Sequence, residues 1–246
     1  MFMNTTVKRR NINIDMIKCL AVICVISVHF FIHTGYYTEP MVGKRMLVMT
    51  FMRTSFMICV PLFIIITGYL MCNKILSVKY FSGIRHTIVM YIIISVFCLL
   101  YRRTLEQEFS IKEGIRWIFN YTAAPYAWYI EMYIGLFIII PFLNVLYQNL
   151  RNRKEKELLL FFLFCMIVVP TIFNIDDLKL IPAFWLGTWP ILYYFIGCYI
   201  REYKPKIPLK LNVGLIVVVL VLNTAFNYKR SFGKLETRNI LLVNAS

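Results

Sequence analysis

The chain has 246 residues, 60% of them hydrophobic, and a mean hydropathy of +0.68, values outside the range of ordinary globular domains. A formal net charge of +15 would suggest nucleic-acid binding in a soluble protein. Here the Lys and Arg fall in short connections between apolar runs, where they set topology, so a lipid bilayer is the expected partner and nucleic acid is not. The seven cysteines lie within or at the ends of those runs without a CxxC pair; this argues against a disulfide framework or a zinc site, and no metal is expected.

In chain order, Lys8, Arg9 and Arg10 precede an apolar run, Ile12–His33, about as long as a lipid-spanning helix. No small-x-small cleavage pattern follows it. The run therefore reads as an uncleaved first span behind a basic cytoplasmic tail (residues 1–10), with residues 11–246 as one membrane domain. Within the span stand Asp15, Lys18 and His29. Eleven helical steps of about 100° return His29 to nearly the face of Lys18, about 16 Å along the axis, which makes one stripe polar. Asp15 lies three residues before Lys18 and can pair with it, lowering the cost of placing either near lipid. An intramembrane His usually lines a cavity or pathway; the alternative is an imidazole hydrogen-bonded within the packing.

A second run, Met46–Met71, contains Arg53, about 10 Å in from the aqueous edge and within snorkelling reach of it. A third starts at Arg85 and His86 and ends near Tyr101. In the long loop that follows, Ser110 and Glu113 form a capping box, and Ile111, Ile115, Ile118 and Phe119 share a face with Trp117 nearby. That pattern predicts a short amphipathic helix lying in the interface. A fourth span, Trp128–Tyr147, holds Glu131 near its start, and a basic loop with Arg151, Arg153, Lys154 and Lys156 leads to a fifth, Leu158–Phe173. Pro170 lies near the end of that span, with Asp176 and Asp177 beyond it. The sixth, Phe184–Ile200, contains Gly187 and Pro190, which predict a kink. Arg201, Lys204, Lys206 and Lys210 then connect to a seventh run, Leu211–Phe226, and Asn239–Ser246 reads like the start of an eighth cut short. The expected fold is all-α, a polytopic transmembrane helical bundle of about seven spans, with a partial eighth and an interfacial helix.

Lys and Arg are dense at the N-terminus and after spans two, four and six, so the N-terminus is expected in the cytoplasm. Arg102, Arg103, Lys112 and Arg116 then lie outside, accompanied by Glu106, Glu108 and Glu113. In this topology His29, Arg53 and Glu131 all fall toward the outer leaflet. Glu131 could orient the imidazole while Arg53 holds an anionic group; three separate interfacial residues is the alternative.

Four segments, in this order, together resemble the membrane acyltransferase 3 family. They are Lys18 followed by ten residues and then His29, VPLFIIITGYLM from Val60 to Met71, AWYIEMYIGLFIIIP from Ala127 to Pro141, and YFIGCYI from Tyr194 to Ile200. The resemblance covers about Asn11 to Ile200. It implies a multi-pass enzyme of the bacterial plasma membrane, transferring an acyl group from acetyl-CoA on the cytoplasmic side to a hydroxyl of a cell-envelope glycan or lipid-linked sugar. On that reading His29 is the general base or a brief acyl carrier, with Glu131 as the second catalytic residue. Lys18 and Arg85 would meet the donor, and Arg53 and Trp128 the acceptor. Two features depart from the family pattern: its Arg-x-x-Arg before span three is reduced here to Gly83, Arg85 and His86, and relatives tend to have more spans. A C-terminally shortened product, acting as a non-catalytic membrane partner, is therefore an alternative. So is a small transporter or flippase using the same polar stripe, although Pro170, Gly187 and Pro190 find only Pro61 and Gly68 as counterparts in the first half. A homo-oligomer is possible.

Overall fold

The computed structural model describes residues 11–105, 108–174 and 180–232. Lys8, Arg9, Arg10, Glu106, Asp176, Asp177 and the Asn239–Ser246 run lie outside the described residues. Helix is the regular secondary structure of the described residues, with one isolated parallel bridge between Met41 and Phe232. Among the described residues, six helical stretches are long and apolar enough to cross a bilayer: Ile12–His33, Gly43–Met71, Val78–Thr104, Trp128–Gln148, Arg153–Phe173 and Leu209–Arg230. The chain is thus an all-α polytopic bundle, as expected. The Phe184–Ile200 run is the exception among the spans. There a 3-10 helix over Phe184–Thr188 leads straight into an α-helix of 15 residues, Trp189–Tyr203; the α-helix alone reaches about 22 Å, and the 3-10 residues add about 10 Å, which together match a hydrocarbon core of about 30 Å. Pro190 sits in the first turn of that helix, where an N–H has no intrahelical acceptor to lose.

The described residues fall into two compact units, one holding the residues up to Leu70 and from Tyr193 onward, the other running from Met71 to Leu192. The first unit begins with α1 (Ile12–His33), whose N-cap Asn11 accepts from the Asn13 N–H at 3.1 Å. The expected second run divides into α2 (Gly43–Phe56) and α3 (Cys59–Met71). Pro61 explains the division: it offers no N–H, and its ring crowds the carbonyl four residues back, at Met57. Between α1 and α2 the chain turns through Gly35 and Gly43, both at positive φ, a conformation that costs glycine little. Phe31, Tyr36, Met41 and Met46 are buried at this turn, with Tyr37, Met49, Phe56 and Tyr228 packed against them.

In the same unit, α10 (Trp189–Tyr203) crosses α3 at a pair of glycines. A Cβ on Gly68 would overlap the Tyr194 carbonyl oxygen, and one on Gly197 the Ile65 carbonyl oxygen. Only glycine lets the backbones approach so closely. Around the crossing, Cys198 Sγ donates to the Gly68 carbonyl at 3.7 Å and Arg201 Nη1 to the Tyr69 carbonyl at 2.7 Å. The last helix of the unit, α11 (Leu209–Arg230), packs along α2, and its Tyr228 hydroxyl donates to the Gly43 carbonyl at 3.2 Å.

The second unit contains α4 (Val78–Ser82), α5 (Arg85–Thr104), α6 (Ile111–Phe119), α7 (Trp128–Gln148), α8 (Arg153–Ile167) and α9 (Val169–Phe173). Pro141 lies inside α7 and leaves the Phe137 carbonyl without its usual donor. The Tyr80 hydroxyl fills that place at 2.5 Å, its ring stacked on Phe137 with centroids 4.4 Å apart. One turn further along α7, Asn144 Nδ2 donates to the Met71 and Lys74 carbonyls at 2.8 and 2.7 Å, and Gln148 Nε2 donates to Cys72 at 3.0 Å. These amides tie α7 to the Met71–Lys74 turn, whose Met71 carbonyl also accepts from the Lys74 N–H at 2.9 Å. The expected basic loop at Arg151–Lys156 is mostly helix: Asn152 caps α8 by accepting from the Glu155 N–H, Arg153 pairs with Glu157 at 2.7 Å, and the Lys156 ammonium sits 4.7 Å over the Tyr147 ring.

The α6 helix forms with the expected capping box, since Ser110 Oγ accepts from the Glu113 N–H at 3.2 Å and Glu113 Oε2 accepts from the Ser110 N–H at 2.7 Å. Ile111, Ile115 and Phe119 present an exposed apolar stripe, while Ile118 turns inward against Tyr91, Ala124 and Ala127. The helix ends in a Schellman motif, with the Thr122 N–H bonded to the Trp117 carbonyl and the Tyr121 N–H to Ile118. Tyr121 takes the left-handed position at φ 55 and stacks on Tyr91, 5.1 Å between centroids.

Candidate active site

The first unit carries Lys18, His29 and Arg53. Because α1 is unbroken from Ile12 to His33, the separation of about 16 Å between Lys18 and His29 along one face holds. Lys18 is exposed near the start of the helix, and His29 is half-buried one turn before its end. The inward face of α1 is made by Ala21, Cys24 and Phe31.

Arg53 does not snorkel. It is only 3% exposed, and its guanidinium lies over the rings of Tyr36 and Tyr37, at 5.6 and 5.1 Å from their centroids. Its Nε donates to the Tyr37 hydroxyl at 2.7 Å. The electron-rich ring faces and a phenolic oxygen replace part of the hydration that the cation loses on burial. Next to it, the Tyr36 hydroxyl and Thr50 Oγ1 are 3.0 Å apart, and Thr50 Oγ1 donates to the Met46 carbonyl at 2.7 Å. The connection that follows the His29 helix is therefore tied to α2 through a buried cation and two phenols. Tyr36 and Tyr37 are the residues that sequence reasoning missed. The available signal was an aromatic pair just past one span with an Arg inside the next.

The second unit carries Arg85, Trp128 and Glu131. Arg85 is exposed as the first residue of α5. Trp128 opens α7, half-buried and edge-on to Tyr129. Glu131 is exposed in the first turn of α7, where the helix macrodipole favours a carboxylate. His29 and Glu131 belong to different compact units. Outside the spans, the Ser110 backbone N–H and hydroxyl both donate to Glu113 and hold its carboxyl below the ordinary value, with the Arg116 charge adding to the effect.

The family described as "Acyltransferase domain", the acyltransferase 3 family, matches residues 11–228. The match takes in every candidate residue from Lys18 to Glu131 and both glycines of the α3–α10 crossing. No curated protein and no solved structure matches the chain significantly. With six apolar helices of spanning length among the described residues and a family match over most of its length, the chain is a multi-pass membrane protein belonging to the acyltransferase 3 family.

Proposed function

We propose that this protein is an O-acyltransferase of the bacterial plasma membrane, moving an acetyl group from acetyl-CoA to a hydroxyl of a cell-envelope glycan or lipid-linked sugar. The observation that carries the reading is α1. In a member of an acyltransferase family, it is one continuous helix with an exposed cation near its start and a half-buried imidazole near its end. With the N-terminus in the cytoplasm, as the basic loops favour, Lys18 stands on the donor side and His29 on the acceptor side. His29 takes the proton of the acceptor hydroxyl, whose oxygen attacks the thioester carbonyl. The C–S bond then breaks, and the CoA thiolate leaves with a proton. An imidazole suits the task because its unperturbed pKa lies near the operating pH. Lys18 and Arg85, both exposed cations, meet the donor's phosphates as charges on the cytoplasmic side. The donor's flexible arm covers the distance along α1 between Lys18 and the imidazole.

Of the other candidates, Arg53 in the first unit offers positive potential from its phenol cage, and in the second unit Trp128 offers a ring face to a sugar and Glu131 a carboxylate. The test is mass spectrometry of envelope glycans from cells with the native chain, without it, and with His29→Ala. Loss of one acyl-sized mass in both the deletion and the mutant supports the transferase. An unchanged acyl profile with proven expression overturns it.

A second reading, a small transporter or flippase, draws on the helix breaks at Met57–Ile58 in the first half and at Val168 in the second. Discontinuous spans are common in transporters. It predicts an altered lipid-linked sugar flux in His29→Ala without a change in glycan acylation.

A further inference from the structure

The α11 helix uses one face against α2, where Thr224 is buried and Tyr228 bonds to Gly43. On another face, Asn212, Ile216, Val219, Asn223 and Phe226 follow one another at spacings of four, three, four and three residues, and all are exposed. This is the a/d repeat of a parallel helix pair, with Asn223 at an a position. Apolar a and d residues by themselves would simply face lipid. Asn223 is different. Its Oδ1 accepts from Asn227 Nδ2 at 2.9 Å, and among the described residues its own Nδ2 has no acceptor. It lies six residues before Lys229, about 9 Å along the helix from that charge, which is deeper than headgroup oxygens reach. An amide N–H without an acceptor in hydrocarbon is strongly unfavourable.

We propose that α11 forms the interface of a symmetric homodimer, in which the Asn223 carboxamides of two copies hydrogen-bond across a twofold axis along the bilayer normal. The occupant is a second copy because a carboxamide is its own complement, carrying donor and acceptor together. Copies inserted in the same orientation can pair α11 only in parallel, and in a parallel pair each a position meets itself. Lipid tails offer no acceptor, and the stripe carries no charge between Lys210 and Lys229 that would select a different, charged partner. The interface stands independently of acyl transfer.

The full chain in liposomes tests it, with Val219→Cys as reporter and copper-phenanthroline with dissolved oxygen as oxidant. Two Val219→Cys thiols from neighbouring copies give up two protons and two electrons to form a disulfide. A dimer-sized band is expected with Val219→Cys and not with Thr224→Cys, the native cysteines setting the background. Adding Asn223→Val should slow cross-linking about tenfold, whereas Asn223→Gln should restore most of it. Equal cross-linking at residues 219 and 224, insensitivity to Asn223→Val, or capture of a different protein instead of a second copy each overturns the proposal. If Asn223→Val fails to insert, single-molecule photobleaching of the labelled native chain decides, with one-step bleaching throughout overturning it.

Discussion

Arg53 is where a residue read from the sequence changes its meaning in the structure. A guanidinium about 10 Å from the aqueous edge can reach water by extending its stem, yet here it is turned inward under Tyr36 and Tyr37. Tyr37→Phe keeps the ring and removes the acceptor of the Nε bond. It should lower stability by about 1.5–3 kcal/mol, the worth of a hydrogen bond to a charged group, read as a fall in the unfolding midpoint in detergent. Arg53→Lys keeps the charge and loses the planar fork, and should weaken the same contact. The Lys18–His29 spacing was legible because a helix has a fixed angular step. The phenol cage was not, because Tyr37 reaches Arg53 through a turn whose path local periodicity does not encode.

At the scale of elements, prolines and glycines account for most of the departures from straight spans. Tyr80→Phe leaves the Phe137 carbonyl without a donor opposite Pro141, at an expected cost of about 1–3 kcal/mol. Pro141→Ala in that background restores an N–H at the right place and should recover much of the loss, so a double-mutant cycle measured by thermal unfolding would show strong coupling. Gly68→Ala and Gly197→Ala each force α3 and α10 apart and should destabilise by about 1–3 kcal/mol or more. Gly214→Ala on α11, where an added Cβ meets nothing, should be neutral or slightly stabilising.

The α6 cap should respond to pH. The folded-state pKa of Glu113 lies below its unfolded value, so the cap's stabilisation is complete above the unfolded value and is lost as pH falls through the folded one. Spin-label mobility at residue 115 should therefore rise only in acid, and Glu113→Gln should flatten that response. The cap was legible from two residues at a fixed spacing. The inward turn of Ile118 was not, because four apolar residues on one short face do not say which of them meets protein and which meets lipid.

For the whole molecule, hydropathy placed the spans well, since length and apolarity are what the bilayer reads. At Phe184–Ile200 it located the run but not its make-up, since a 3-10 helix takes up the first five residues before the α-helix begins. Arg201 illustrates a further limit: counted as a loop charge, it sits inside α10 with its guanidinium on the Tyr69 carbonyl. Reporter fusions after residue 10 and after residue 152 should both report the cytoplasm, the side that Lys and Arg density assigns to them.

The cage around Arg53 also bears on how the chain enters the bilayer during synthesis. The α2 segment contains Lys44, Arg45 and Arg53, so the apolarity of the Gly43–Met71 span is carried mainly by the 13 residues of α3. Arg53 becomes tolerable in hydrocarbon once the tyrosines that trail the first span can wrap it. The first two spans should then leave the translocon as a paired hairpin, α1 waiting at the lateral gate until α2 arrives. Replacing both Tyr36 and Tyr37 with Ala should strand the second span outside the membrane, visible as glycosylation of an acceptor site placed after Cys72 in a microsomal translation assay.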